Sequence, residues 1–156
     1  GVPTLPRETD GFAPASGVAR GAYVLVDATD ADGAPADAQV LLIATGSEVA
    51  VAVGARERLQ AEGVPTRVVS APCLEWFAEQ DEEYRTSVLP DGPEAPVRVS
   101  VEAGIGMPWF ELTVTGRSRG ARVSLEHYGE SADGPHLLRK YGFTPENVAG
   151  VARGLL

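Results

Sequence analysis

Ser47, Glu102 and His127 are the side chains whose types and settings could do chemistry. Glu102 closes a run in which Val97, Val99 and Val101 alternate with polar residues, and a carboxylate there can give or take a proton. The competing reading, which weighs more, is a carboxylate that accepts hydrogen bonds from loop backbone N–H groups. His127 follows a second run, Ala121 to Leu125. Imidazole titrates in the physiological range, but a loop histidine held by a structural hydrogen bond is the stronger reading. Ser47 belongs to the turn Thr45-Gly46-Ser47, whose N–H groups can hold a phosphate at the start of a helix. That turn lacks a Gly-rich phosphate fingerprint and a Lys, and Glu48 repels an anion, so a plain capped connection is favoured.

Other candidates weigh less. Cys73 is the only cysteine, has no metal-ligand spacing around it, and reads as a small core hydrophobe. His136 falls in the first turn of a helix, where positive charge is unfavourable, and is assigned no role. Asp27 to Asp37 holds four aspartates with Gly33 and Pro35. Calcium requires spaced carboxylates and a closing glutamate, which this stretch lacks, so it reads as a solvated turn.

The elements that must position these residues follow from periodicity. Val40 to Ala44 is an unbroken apolar run of strand length, as in a strand buried on both faces of a parallel sheet. A helix follows, with Val49, Ala52, Val53, Ala55 and Leu59 on one face. Thr45 and Glu48 have the spacing of a capping box at its start. Gly63 and Pro65 end it, and Thr66 to Val69 supplies the next strand. This is a β-α-β unit whose right-handed crossover makes its strands parallel.

Upstream, Ala22 to Asp27 reads as a first strand, and the Gly- and Pro-rich residues 1–21 read as a linker without period. Downstream, Leu74 to Gln80 reads as a short helix and Asp81 caps another. Val97 to Val101 and Ala121 to Leu125 are the fourth and fifth strands. Met107 to Leu112 can begin a helix, which Thr113 to Thr115 resists. Pro135 suits the first position of a helix to Tyr141. Thr144-Pro145 opens the last helix, with Val148, Val151, Ala152 and Leu155 as its buried stripe. Alternating strands and helices imply an α/β domain with helices on both sheet faces. In such sheets a ligand crevice lies beyond the carboxyl ends of the strands, where Ser47, Glu102 and His127 fall. If the last two strands are parallel neighbours, Glu102 and His127 are expected to meet as a structural clasp for the loop at Tyr128-Gly129.

Composition narrows the function classes. At 156 residues the chain is expected to be one domain, long enough to bury a single core. A net charge of −9 leaves no electrostatic footprint for nucleic acid or anionic lipid. No apolar run is long enough to span a membrane, and no signal-like segment is present, so a cytoplasmic location is expected. The chain opens with Gly1 rather than Met, and Gly1 to Pro6 reads as the middle of a longer polypeptide.

Three stretches, Leu42-Ile-Ala-Thr-Gly-Ser-Glu-Val49, Arg67-Val-Val-Ser-Ala-Pro72 and Trp76 to Pro90, closely resemble the C-terminal domain of transketolase. Val97-Arg-Val-Ser-Val-Glu-Ala-Gly104, Tyr128-Gly-Glu-Ser-Ala132 and Tyr141-Gly-Phe-Thr-Pro-Glu-Asn-Val148 continue the likeness in the family's order, so it covers nearly the whole chain. Thr-Gly-Ser-Glu alone is shared with related thiamine enzymes, whereas Gln80 to Pro90 and the Gly-Phe-Thr ending are specific. Met107 to Thr115 diverges from the family, and Asp133-Gly134 stands where it usually has proline.

The resemblance implies a three-layer α/β/α domain over residues 22–156, after the linker 1–21. Its five-stranded, mostly parallel sheet would have the order 1-3-2-4-5 with the first strand antiparallel. It implies a parent that transfers a two-carbon ketol unit between sugar phosphates in the pentose phosphate pathway, with thiamine diphosphate and a divalent metal, Mg or Ca. The family's diphosphate-metal signature is a Gly-Asp-Gly followed by asparagines; no Gly-Asp-Gly occurs here and Asn147 is the only asparagine. No catalytic, cofactor or metal residue is therefore carried over. The expected partners are the parent's other domains within a homodimer, and the isolated chain is expected to be inactive. The alternatives are a regulatory module binding a small ligand in the crevice, the C-terminal domain of another thiamine diphosphate-dependent enzyme, and a small enzyme working through Glu102 and His127.

Overall fold

The computed structural model describes residues 3–6, 11–114 and 120–156. Its strands are β1 (Tyr23–Val26), β2 (Val40–Ala44), β3 (Thr66–Ser70), β4 (Val97–Val101) and β5 (Gly120–Val123). Its helices are α1 (Glu48–Ala61), α2 (Leu74–Ala78), α3 (Glu82–Val88), α4 (Phe110–Thr113), α5 (Gly134–Lys140) and α6 (Pro145–Arg153).

The strands lie in the order β1-β3-β2-β4-β5. β1 runs antiparallel to β3, and the β3–β2, β2–β4 and β4–β5 pairs are parallel, as the resemblance implies. β2 lies at the centre, with Val40 opposite both Thr66 and Val97. All five of its residues are buried, which is why its sequence is a continuous apolar run. Leu42 and Ala44 face one core with Val68, Val99 and the buried stripes of α1 and α6. Leu41 and Ile43 face the other, with Val69, Phe77, Val88 and Trp109.

Local chemistry sets several element ends. Gly63 donates to the Gln60 carbonyl and Val64 to that of Leu59, the paired bonds of a Schellman ending for α1. The Asp81 carboxylate accepts from Tyr84 N at 2.7 Å, and Thr144 Oγ1 from Asn147 N at 3.2 Å, so both expected caps are present. Asp133 likewise accepts from the N–H of His136, starting α5 one residue before Pro135.

Other expectations are corrected. The capping box at Thr45 and Glu48 does not form: α1 starts at Glu48, and Thr45 takes part only through its carbonyl, which accepts from Glu48 N at 3.2 Å. The Glu48 side chain, only 4% exposed, is drawn into the interior and accepts from Ser47 Oγ instead. Within the stretch read as a linker, residues 15–20 form a short 3-10 helix (Ala15–Arg20), and Leu5, Phe12 and Ala13 pack against the first core. Six residues of 3-10 helix are too few to leave a period in the sequence. Met107–Trp109 is a 3-10 turn leading into α4, and Thr113 Oγ1 bonds back to the Trp109 carbonyl at 3.0 Å. Thr115 lies outside the described residues.

In the acidic turn, Asp27 pairs with Arg67 and Asp30 accepts from the backbone N–H groups of Asp32 and Ala34. Among the described residues no helix is long and apolar enough to cross a membrane.

Candidate functional site

The carboxyl ends of β2, β4 and β5 open toward one end of the sheet, where Ser47, Glu102 and His127 all lie. The structure sets Glu102 near Glu48, the sequence neighbour of Ser47, and leaves His127 apart. Ser47 Oγ donates to Glu48 Oε1 at 2.6 Å. Glu102 follows β4, and its Oε2 is buried without a hydrogen-bond partner. Burial raises the Glu102 pKa above the ordinary carboxylate value, and the charge on Glu48 raises it further. A cavity of about 320 Å³ opens at Ser47 and Glu48, with Leu125, Leu137, Tyr141 and Phe143 also in its wall.

The clasp between Glu102 and His127 does not form. β5 ends at Val123, so His127 lies four residues beyond the strand, on an exposed loop. Its Nδ1–H donates to the Tyr128 carbonyl at 2.8 Å, and its ring lies 4.8 Å from that of Tyr141 at 58°. The carboxylate in its electrostatic reach is Glu130. That group is held below the usual carboxylate range first by its bond to Lys140, and the imidazole contributes least.

The loop-binding role weighed for Glu102 is carried out by Glu126. Its Oε1 accepts from Ser124 Oγ at 2.7 Å and from Gly106 N at 3.0 Å, and these bonds lower its pKa in that order. Glu48 is the buried group that sequence reading missed, taken there only for a cap. A signal was present: Glu48 shares the i, i+4, i+7, i+11 stripe with Ala52, Ala55 and Leu59, which all face the core.

The close carboxylates give a pH prediction. The folded pKa of Glu102 exceeds the unfolded one, so the folded state is unpenalised below the unfolded pKa, and the penalty grows as pH rises through the folded pKa. Glu102→Gln should therefore raise the melting temperature at about pH 8 and change it little at about pH 3. Equal shifts at both would show that the charge is irrelevant.

Among the described residues no three His, Cys, Asp or Glu side chains converge as metal donors would.

The architecture defines a three-layer α/β domain of the open-sheet kind, its candidate crevice walled by a buried carboxylate and apolar side chains. The model of the transketolase-like TK C-terminal domain matches residues 21–144. A transketolase of Mycobacterium leprae is 51% identical over 140 residues, covering 90% of this chain and 19% of that protein. One from Mycobacterium bovis is 50% identical over the whole chain and 21% of its own length. Among solved structures, the transketolase from Leishmania mexicana superposes with a TM-score of 0.78 at 37% identity, over 94% of this chain and 19% of that one. The chain belongs to the transketolase C-terminal domain family. It spans about a fifth of the length of the curated relatives it matches.

Proposed function

We propose that this domain is an interdomain module of a transketolase. Residues 22–156 would pack against the other domains of a homodimeric, cytoplasmic parent, and residues 1–21 would connect to the preceding one. The two-carbon ketol transfer, with its thiamine diphosphate and divalent metal, belongs to those domains. The observation that carries this reading is the share of length: relatives at 50% and 51% identity match this chain over only 21% and 19% of themselves. The chemistry of the residues agrees, since no Gly-Asp-Gly occurs in the sequence. Ser47, Glu102 and His127 are then structural: Ser47 bonds Glu48, Glu102 fills the strand end, and His127 braces its loop against Tyr141.

The test is direct. The purified 156-residue chain, supplied with thiamine diphosphate and Mg²⁺, should show no turnover of xylulose 5-phosphate with ribose 5-phosphate and no calorimetric binding of the cofactor. Measurable turnover would overturn the reading. A second reading, a regulatory small-ligand site, rests on the cavity of about 320 Å³ at the strand ends. A thermal-shift screen with sugar phosphates and nucleotides tests it, and a flat response removes it.

A further inference from the structure

We propose that the apolar face formed by Ile105, Met107, Phe110 and Tyr128 is the surface by which this domain docks onto the preceding part of a transketolase polypeptide. The inference rests on the interdomain reading above and names the face that reading needs. These four side chains are 56%, 74%, 51% and 98% exposed. Single exposed apolar residues are ordinary, but a group of this size at one end of a sheet marks an interaction surface. Met107 and Phe110 line a shallow concavity with Arg122 and Glu126. Ile105 and Tyr128 line the neighbouring one, which Glu126 also borders, so the two form one surface beyond β4 and β5.

The face is held in shape before any partner arrives. Trp109, between Met107 and Phe110 in sequence, is 5% exposed and anchors the 3-10 turn in the second core. Glu126 ties Gly106 to Ser124 across the middle. Arg122 lies over the Phe110 ring, 5.1 Å from its centroid. The backbone beneath Met107 and Phe110 therefore needs little ordering on docking.

Charge and chain length choose the occupant. Two copies of this chain would each bring a net charge of −9, which opposes self-association through a small patch. In the relatives about four fifths of the polypeptide lies outside the matched region. A surface tethered on the same chain meets this face at an effective concentration of about millimolar, so a few apolar side chains suffice there.

The experiment uses Met107→Cys and Phe110→Cys in a Cys73→Ser background, with Glu79→Cys as an exposed control on α2's end. Maleimide labelling is followed peptide by peptide by mass spectrometry, in the 156-residue chain and in a transketolase polypeptide carrying the same residues. Both patch thiols should label about tenfold more slowly in the longer polypeptide, with the control unchanged. Amide hydrogen exchange on the same two polypeptides reads the rest of the domain: equal labelling rates at the patch, with protection elsewhere on the domain, would overturn this face and leave the interdomain reading standing. No protection anywhere on the domain would overturn both. Slow labelling in the 156-residue chain alone, with a dimer in sedimentation, would assign the face to a second copy and overturn the proposal.

Discussion

Arg98→Ala should destabilise the domain by about 3–5 kcal/mol, because it removes a buried guanidinium that bonds three carbonyls at once. Arg98 sits in β4 and is 2% exposed. Its Nη1 donates to the Leu112 carbonyl at 3.0 Å, and its Nη2 donates to those of Leu89 and Pro90 at 3.2 and 2.7 Å. These carbonyls belong to the C-terminal turn of α4 and the residues just past α3, where helix dipoles leave partial negative charge. The guanidinium thus joins two helix ends to β4. Burial lowers its pKa and Asp91 opposes that fall, but an arginine stays protonated at any working pH. Alanine would also leave a cavity where the long side chain lay. Arg98→Lys keeps the charge but lacks the planar fork, so it should recover only part of the loss. Urea midpoints of the three proteins decide the matter. An alanine variant within about 0.5 kcal/mol of the parent would mean that the carbonyls find other partners or water.

The same residue shows what a sequence carries and what it does not. Alternation of Val97, Val99 and Val101 with Arg98 and Ser100 identified the strand and its two faces. All five residues are buried, Arg98 and Ser100 included, because helices cover both faces of the sheet. Period two reports which side a residue faces and is silent about what covers that side. β2, by contrast, was legible outright, since all five of its residues are apolar as well as buried. Caps at Asp81 and Thr144 were legible because a single side chain and one N–H decide them. Strand order came from the family likeness, since no local period encodes which strands become neighbours. The candidate site was the least legible part. Meeting of Glu102 and His127 depended on where β5 stops, and β5 ends two residues before the alternating pattern does. Beyond that point tertiary contacts with Tyr141 set the direction of the imidazole.

Gly21 should be nearly irreplaceable, and Gly21→Ala should cost about 3 kcal/mol or more, or a melting-temperature drop of about 6–12 °C. Two physical terms combine there. Its φ of +80° lies in the left-handed region, where an added Cβ costs about 1–2 kcal/mol. That Cβ would also lie 2.3 Å from Phe77 N, 2.4 Å from the Cys73 carbonyl oxygen and 2.8 Å from Trp76 C. All three are backbone atoms of α2 and its cap, so no side chain can swing aside. α2 would have to move off, loosening Phe77 in the second core and the bond from Cys73 N to the Gly21 carbonyl, now 3.0 Å. Gly33 separates the two terms. It has φ +82° and nothing within 4 Å of the position a Cβ would take. Gly33→Ala should therefore show the backbone penalty alone, about 1 kcal/mol. Thermal melts of both variants give the comparison. If Gly21→Ala loses no more than Gly33→Ala, the close approach of α2 is not what requires glycine, and the segment entering β1 has room that the structure denies.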